Sequence, residues 1–159
     1  GNRFEYRDEI DEAFRTCEVP KLVLEPIIEN CIFHGFSDRA GGNLIRATSC
    51  SKDGVLSICV EDDGIGLSAE RLQLVRARLH RGHGTDGRGP GEGGCVDHRQ
   101  PGRYSSIGLK NVKDRIRLLY GEDYGVTIDS KPGSGTSVML RIPDSRAKLG
   151  GFTPPGARA

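Results

Sequence analysis

The chain has no tryptophan, one methionine and only 6% aromatic residues among its 159. Aromatic side chains therefore fill little of any core, and aliphatic residues must do so. An excess of one charge is missing too: 23 Lys and Arg stand against 22 Asp and Glu, a formal net charge of +1. That balance gives no basis for nucleic-acid or membrane-surface binding. No apolar stretch approaches the ~20 residues that span a bilayer, and no secretory h-region is present. Cysteine occurs without framework spacing, as the odd set Cys17, Cys31, Cys50, Cys59 and Cys95. Cys31 and Cys59 sit in apolar runs, where a free thiol behaves as a small hydrophobe, which fits a reducing compartment.

Glycine is what the chain has in abundance: 23 residues, about twice the usual ~7% share. They are not periodic, which excludes collagen. Eight fall between His80 and Tyr104, together with Pro90 and Pro101 and almost no aliphatic side chains. Such a stretch has no face to bury and reads as a long functional or disordered loop. The segment from Asp144 onward is similarly weak and reads as a disordered tail. The length suits one domain, since ~100–200 residues is the ordinary range; we take it as residues 1–143.

The remaining pattern orders the elements. Alternating Phe4 and Tyr6 suggest a first strand over Arg3–Ile10. Leu24, Ile27, Ile28, Cys31 and Ile32 recur at helical steps, with Pro20 at the expected start and Gly35 at the end. Pro26 is compatible only with the first turns or a kink. Asn43–Cys50 and Val55–Glu61 read as a hairpin, and Ser68 caps a helix to about Leu79 with Leu72, Val75 and Leu79 inward. After the glycine-rich loop, Leu109, Val112, Ile116 and Leu119 form a helical stripe, and strands follow over Gly125–Ser130 and Thr136–Ile142. The order is β-α-β-β-α-loop-α-β-β. A two-layer α/β (α+β) sandwich, with helices on one face of a mixed sheet, accommodates it best.

Three clusters carry possible chemistry. Asn30 and His34 are four residues apart on one helix and share a face away from most of the apolar stripe. A polar Asn in an otherwise apolar helix needs a partner, either a neighbouring loop or a ligand such as a divalent ion. Glu61-Asp62-Asp63-Gly64-Ile65-Gly66 ends a strand with a carboxylate pair and a Gly-x-Gly. It is a tight turn, or a place where an amine meets a carboxylate and backbone approaches a flat ligand. Ser105-Ser106-Ile107-Gly108 opens a helix, and its free N–H groups cap themselves or receive a phosphate. Gly133-Ser134-Gly135-Thr136 is hairpin chemistry taken alone.

Taken in order, E-N-x-x-x-H, D-D-G-I-G, the glycine loop, I-G-L-K-N-V and G-S-G-T resemble the GHKL ATP-binding (Bergerat) fold. That superfamily groups sensor histidine kinases, gyrase-type topoisomerases, a heat-shock chaperone family and mismatch-repair ATPases. VPKLVLEPIIENCIFHG and IGLKNVKDRIRLLYGEDYGVTIDSKPGSGTSVMLRIP are similar to the catalytic domain of LytS/YesM-type two-component kinases. The resemblance runs from Phe4 to Pro143. It implies ATP and Mg²⁺ as ligands, with Asn30 holding the metal and Glu29 as a possible catalytic helper. It implies that His34 flanks ribose or adenine and that Asp62 accepts from the adenine amine. Gly64, Ile65 and Gly66 would form the base pocket, and Thr136 would support it. Gly108, Leu109 and Lys110 would begin the helix that meets the phosphates, and residues 80–106 would be the ATP lid.

The same resemblance implies a cytoplasmic domain of a membrane-anchored, homodimeric bacterial protein-histidine kinase. Its partners would be its own upstream histidine-bearing dimerisation domain and a response-regulator receiver domain, without direct membrane contact by this segment. Departures from the family pattern are Phe33 for a lysine, Ser106 for a glycine, and Pro26 where ATP-hydrolysing relatives carry a glutamate. Nothing before the first strand reads as the phosphoaccepting domain, so the expectation is nucleotide binding with little autophosphorylation. Two alternatives stand beside this: a non-catalytic docking module of the same fold, and another GHKL-type ATPase. Within the loop, His80-x-x-His83 and Cys95-x-x-His98 offer a possible zinc-ligand set.

Overall fold

The computed structural model describes residues 4–36, 42–80 and 106–146. The lid and the His/Cys pairs within it lie almost wholly outside these residues, as does the chain beyond Arg146. The elements are β1 (Phe4–Glu9), α1 (Glu25–Asn30), β2 (Asn43–Lys52), β3 (Val55–Asp62), α2 (Ala69–His80), α3 (Ser106–Tyr120), β4 (Gly125–Ser130) and β5 (Thr136–Pro143). A short 3-10 turn at Glu12–Phe14 follows β1, and α1 continues into a π-wound turn at Cys31–Gly35.

The five strands form one mixed sheet in the order β1-β2-β3-β5-β4. β1 runs parallel to β2, and every other pairing is antiparallel. Leu56, Ile58 and Val60 of β3 are buried, as are Val138, Leu140 and Ile142 of β5 and Val126 and Ile128 of β4. The alternate positions, such as Thr127, Met139 and Arg141, are exposed. One face of the sheet therefore carries the core, and Ile27, Leu72, Val75, Leu109 and Ile116 of the helices close over it. Asp53 and Gly54, both with positive φ, make the two-residue β2–β3 turn whose twist matches paired strands.

Four details differ from the sequence reading. The first helix starts at Glu25, not near Pro20, because Leu22 adopts a left-handed φ of 64° that no helix passes through. Pro26 then falls in the first turn, where its missing N–H costs nothing. Leu119 is 52% exposed, whereas Lys113 is buried. At 100° per residue, Leu109, Lys113, Ile116 and Tyr120 share the centre of the inward stripe and Leu119 falls on its flank.

The fourth difference concerns the expected tail, which starts too early at Asp144. That residue is 5% exposed and donates its N–H to Gly54 O at 2.8 Å. Its carboxylate receives Ser51 Oγ and the Arg146 guanidinium. Arg146 in turn donates to Ala13 O at 3.1 Å and lies over the Phe14 ring. A buried carboxylate with three such partners anchors the end of β5 to the segment that follows β1.

Candidate nucleotide site

Asp62 is the last residue of β3 and has the inward phase of Leu56, Ile58 and Val60. It is 6% exposed. Oδ1 accepts from Gly64 N at 2.9 Å, while Oδ2 is buried without a partner among the described residues. Burial pushes the Asp62 pKa up, and Asp63 adds to this. The N–H groups of Gly64 and Thr136 and the Cys31 thiol pull it back. An acceptor oxygen kept dry and unpaired is expensive unless something arrives to donate to it.

The loop after Asp62 brings backbone close against the carboxylate. A Cβ on Gly64 would stand 2.6 Å from Asp62 Oδ1 and would overlap the Gly35 carbonyl. Gly66 has φ +66°, and a Cβ there would collide with Lys131 O. Only glycine permits both approaches. Ile65 donates its N–H to Gly35 O at 3.0 Å and accepts from Gly133 N at 2.7 Å, so three loops are laced together. The Ile65 side chain remains partly exposed beside them.

Thr136 pairs with Asp62 across the β3–β5 ladder and is buried. Ser130 Oγ accepts from Leu67 N at 2.9 Å and donates to Gly135 O at 2.8 Å. Its single hydrogen is then used, so the 3.0 Å contact with Thr136 Oγ1 has the threonine as donor. Asp63 fixes the other side, taking Leu44 N at 2.8 Å on Oδ1.

Asn30 ends α1, is 3% exposed, and has a buried Nδ2 without a partner among the described residues. Glu29 beside it is exposed. His34 lies on the π-wound turn, and its side chain is outside the described set. Gly108, Leu109 and Lys110 belong to the first turns of α3, which packs against α1. The Leu109 side chain is wholly in the core. Lys110 is engaged by Asp114 on its own helix.

The structure thus gathers Asp62, Gly64, Ile65, Gly66 and Thr136 into one wall. It adds residues the sequence reading passed over: Cys31, Gly35, Ser130 and Gly135. Ser130 had a signal, since it continues the inward phase of Val126 and Ile128. Cys31 had one too, lying one turn before Gly35 on the same helical face. A cavity of about 380 Å³ at this end of the sheet is lined by Arg46, Glu61, Ser137 and Asp129. Those four form one cross-strand row with the phase of Glu61, opposite to that of Asp62. Asp62, Ser130, Gly135 and Thr136 of the wall line the same cavity.

A family model described as histidine kinase-, DNA gyrase B- and HSP90-like ATPase matches residues 19–146. The chain belongs to that family. It is 30% identical over 141 residues to sensor histidine kinase YesM of Bacillus subtilis, covering 89% of this chain and 20% of YesM. Sensor protein kinase HptS of Staphylococcus aureus is also 30% identical over 141 residues, with 89% and 23% covered. The chain therefore spans about a fifth of the length of these two relatives. The catalytic domain of histidine kinase ThkA shares the fold at a TM-score of 0.55 and 13% identity, covering 89% of this chain and 79% of that one. The mixed five-stranded sheet with helices is the expected fold class. No described helix is long and apolar enough to cross a membrane.

Proposed function

We propose that this domain binds ATP with Mg²⁺ and presents the γ-phosphate to a histidine on another domain of a sensor kinase. The observation that carries the reading is Asp62 Oδ2, a buried acceptor lacking a donor among the described residues, within a glycine-lined wall. An adenine exocyclic amine supplies the missing hydrogen, and the Gly64–Gly66 backbone lets the ring approach.

The residues present fit a magnesium ion held jointly with phosphates. Among the described residues no three His, Cys, Asp or Glu side chains cluster for a metal. Mg²⁺ ordinarily takes one or two protein groups and completes its shell with phosphates and water. Asn30 suits that arrangement: its carbonyl oxygen is a hard ligand, and its unpartnered Nδ2 donates to a phosphate oxygen. When bound, the ion would neutralise phosphate charge. The first turn of α3 offers N–H groups to the same phosphates.

Transfer to a protein is favoured over hydrolysis by the first turn of α1. Pro26 stands where a water-activating carboxylate would be, and Glu29 faces solvent. The dimerisation domain, the receiver domain, the homodimer and the membrane anchor belong to the same reading of the longer protein. One pair of measurements tests it. ATP with Mg²⁺ should raise the melting temperature of the chain, and GTP should not. Labelled phosphate should enter a longer chain that includes the upstream histidine but not this chain alone. No melting shift with millimolar ATP supports the docking-module alternative instead.

A further inference from the structure

Cys31 is 2% exposed and opens the π-wound turn that ends at Gly35. Gly35 presses on Asp62, since a Cβ there would lie 2.9 Å from Oδ1. Cys31 is one turn earlier on the same strip of helix. The Cys31 thiol donates to Ile27 O at 3.3 Å, but that carbonyl already accepts the Cys31 backbone N–H. The S–H can leave it without orphaning the carbonyl. Burial in apolar surroundings keeps the group as S–H, a donor, and the Asp62 carboxylate is within its hydrogen-bonding reach.

Asp62 has Gly64 N–H on Oδ1 and, among the described residues, no donor on Oδ2. A carboxylate has about four lone-pair positions, so one side-chain donor leaves room for a ligand amine. We propose that Cys31 is a positioning residue of the base pocket, its thiol turning from Ile27 O to the Asp62 carboxylate and orienting Oδ2 toward a purine 6-amino group. The inference rests on the nucleotide reading above and assigns to the thiol a part in purine discrimination.

The test compares ATP–Mg²⁺ with purine riboside triphosphate–Mg²⁺, which lacks only the 6-amino group, by titration of the full chain. Wild type should prefer ATP. Cys31→Ala should lose about 3- to 10-fold in ATP affinity, the worth of one modest hydrogen bond, and bind the analogue unchanged. Cys31→Val, larger than cysteine and also without a donor, takes the place of Cys31→Ala if the smaller residue disturbs folding. Cys31→Ser should restore the preference. Equal weakening of both ligands, or of neither, in the donor-free variants overturns the role of the thiol while leaving the site intact. A wild type that binds ATP and the analogue equally, or binds neither, overturns the Asp62 reading and this inference with it.

Discussion

Replacing Asp62 with asparagine separates the cost of this carboxylate to the fold from its value to a ligand. Asn Oδ1 can keep the 2.9 Å bond from Gly64 N, while Nδ2 takes the place of the unpartnered Oδ2. In the free protein a buried charge disappears. Because burial holds the folded-state pKa above the ordinary carboxylate value, protonation favours the folded state, and the ionised form works against folding above that pKa. Free Asp62→Asn should therefore melt at the same temperature as wild type or higher. In the complex the sign reverses. A charge-assisted hydrogen bond worth about 1.5–3 kcal/mol is lost, and two donors face each other, so the total penalty is about 2–4 kcal/mol. That corresponds to roughly 30- to 1,000-fold weaker ATP binding. Thermal melts with and without ATP–Mg²⁺, backed by titration calorimetry, read both effects. An ATP-induced shift undiminished in Asp62→Asn would refute the role of this carboxylate. A large loss of stability in the free variant would show that Asp62 is structural.

Other expectations follow from single contacts. Asn30→Ala should abolish most of the Mg²⁺ dependence of nucleotide binding while changing the free melting temperature little, since its Nδ2 has no partner among the described residues to lose; unchanged metal dependence in titrations would contradict this. Gly66→Ala places a side chain at φ +66° against Lys131 O, so it should cost at least ~1–2 kcal/mol and reduce ATP binding, measured by urea melts and titration. Asp144→Ala leaves Arg146 and Ser51 without their shared acceptor and should cost about 3 kcal/mol at neutral pH. The Arg146 guanidinium above all holds the Asp144 pKa well below the usual carboxylate range, so its contribution is full above the unfolded value of about 3.9 and fades as pH falls below it. Denaturation curves of wild type and Asp144→Ala should converge in acid; a constant gap down to pH 2 would refute the ion-pair account.

Periodicity disclosed the strands because each buries one face only. Gly125–Ser130 and Val55 onward alternate cleanly, and the β2–β3 register follows from the Asp53-Gly54 turn. Helix limits were less legible. The start at Glu25 depends on the backbone of Leu22, which no side-chain pattern announces. The stripe of α3 misled at Leu119 because a lysine stem, read as polar, covers Gly125 with its methylenes. In the site, D-D-G-I-G marked the carboxylate and the close backbone. Cys31 reaches Asp62 only through the fold, Ser130 and Gly135 meet Thr136 across a tight turn, and their residue types are equally at home in a core or a turn.

The groups around Asp62 and Asn30 suggest why such a domain would work with a separate acceptor. In the proposed complex the wall would fix a base through one carboxylate and backbone, and Asn30 with the first turn of α3 would face the phosphates. None of these groups would serve as a base: Asn and backbone N–H do not take protons, and Asp62 would be committed to Gly64 and the amine. Phosphoryl transfer asks chiefly for positioning and charge neutralisation, and its nucleophile must arrive already competent. A neutral imidazole meets that need without a resident base, because its unprotonated nitrogen attacks directly. Water does not, since it must lose a proton on attack. Introducing a glutamate at position 26 tests this division. Pro26→Glu should raise ATP hydrolysis by the isolated chain while leaving ATP affinity near wild type, and an unchanged hydrolysis rate with intact binding would show that the missing base is not what keeps water from reacting.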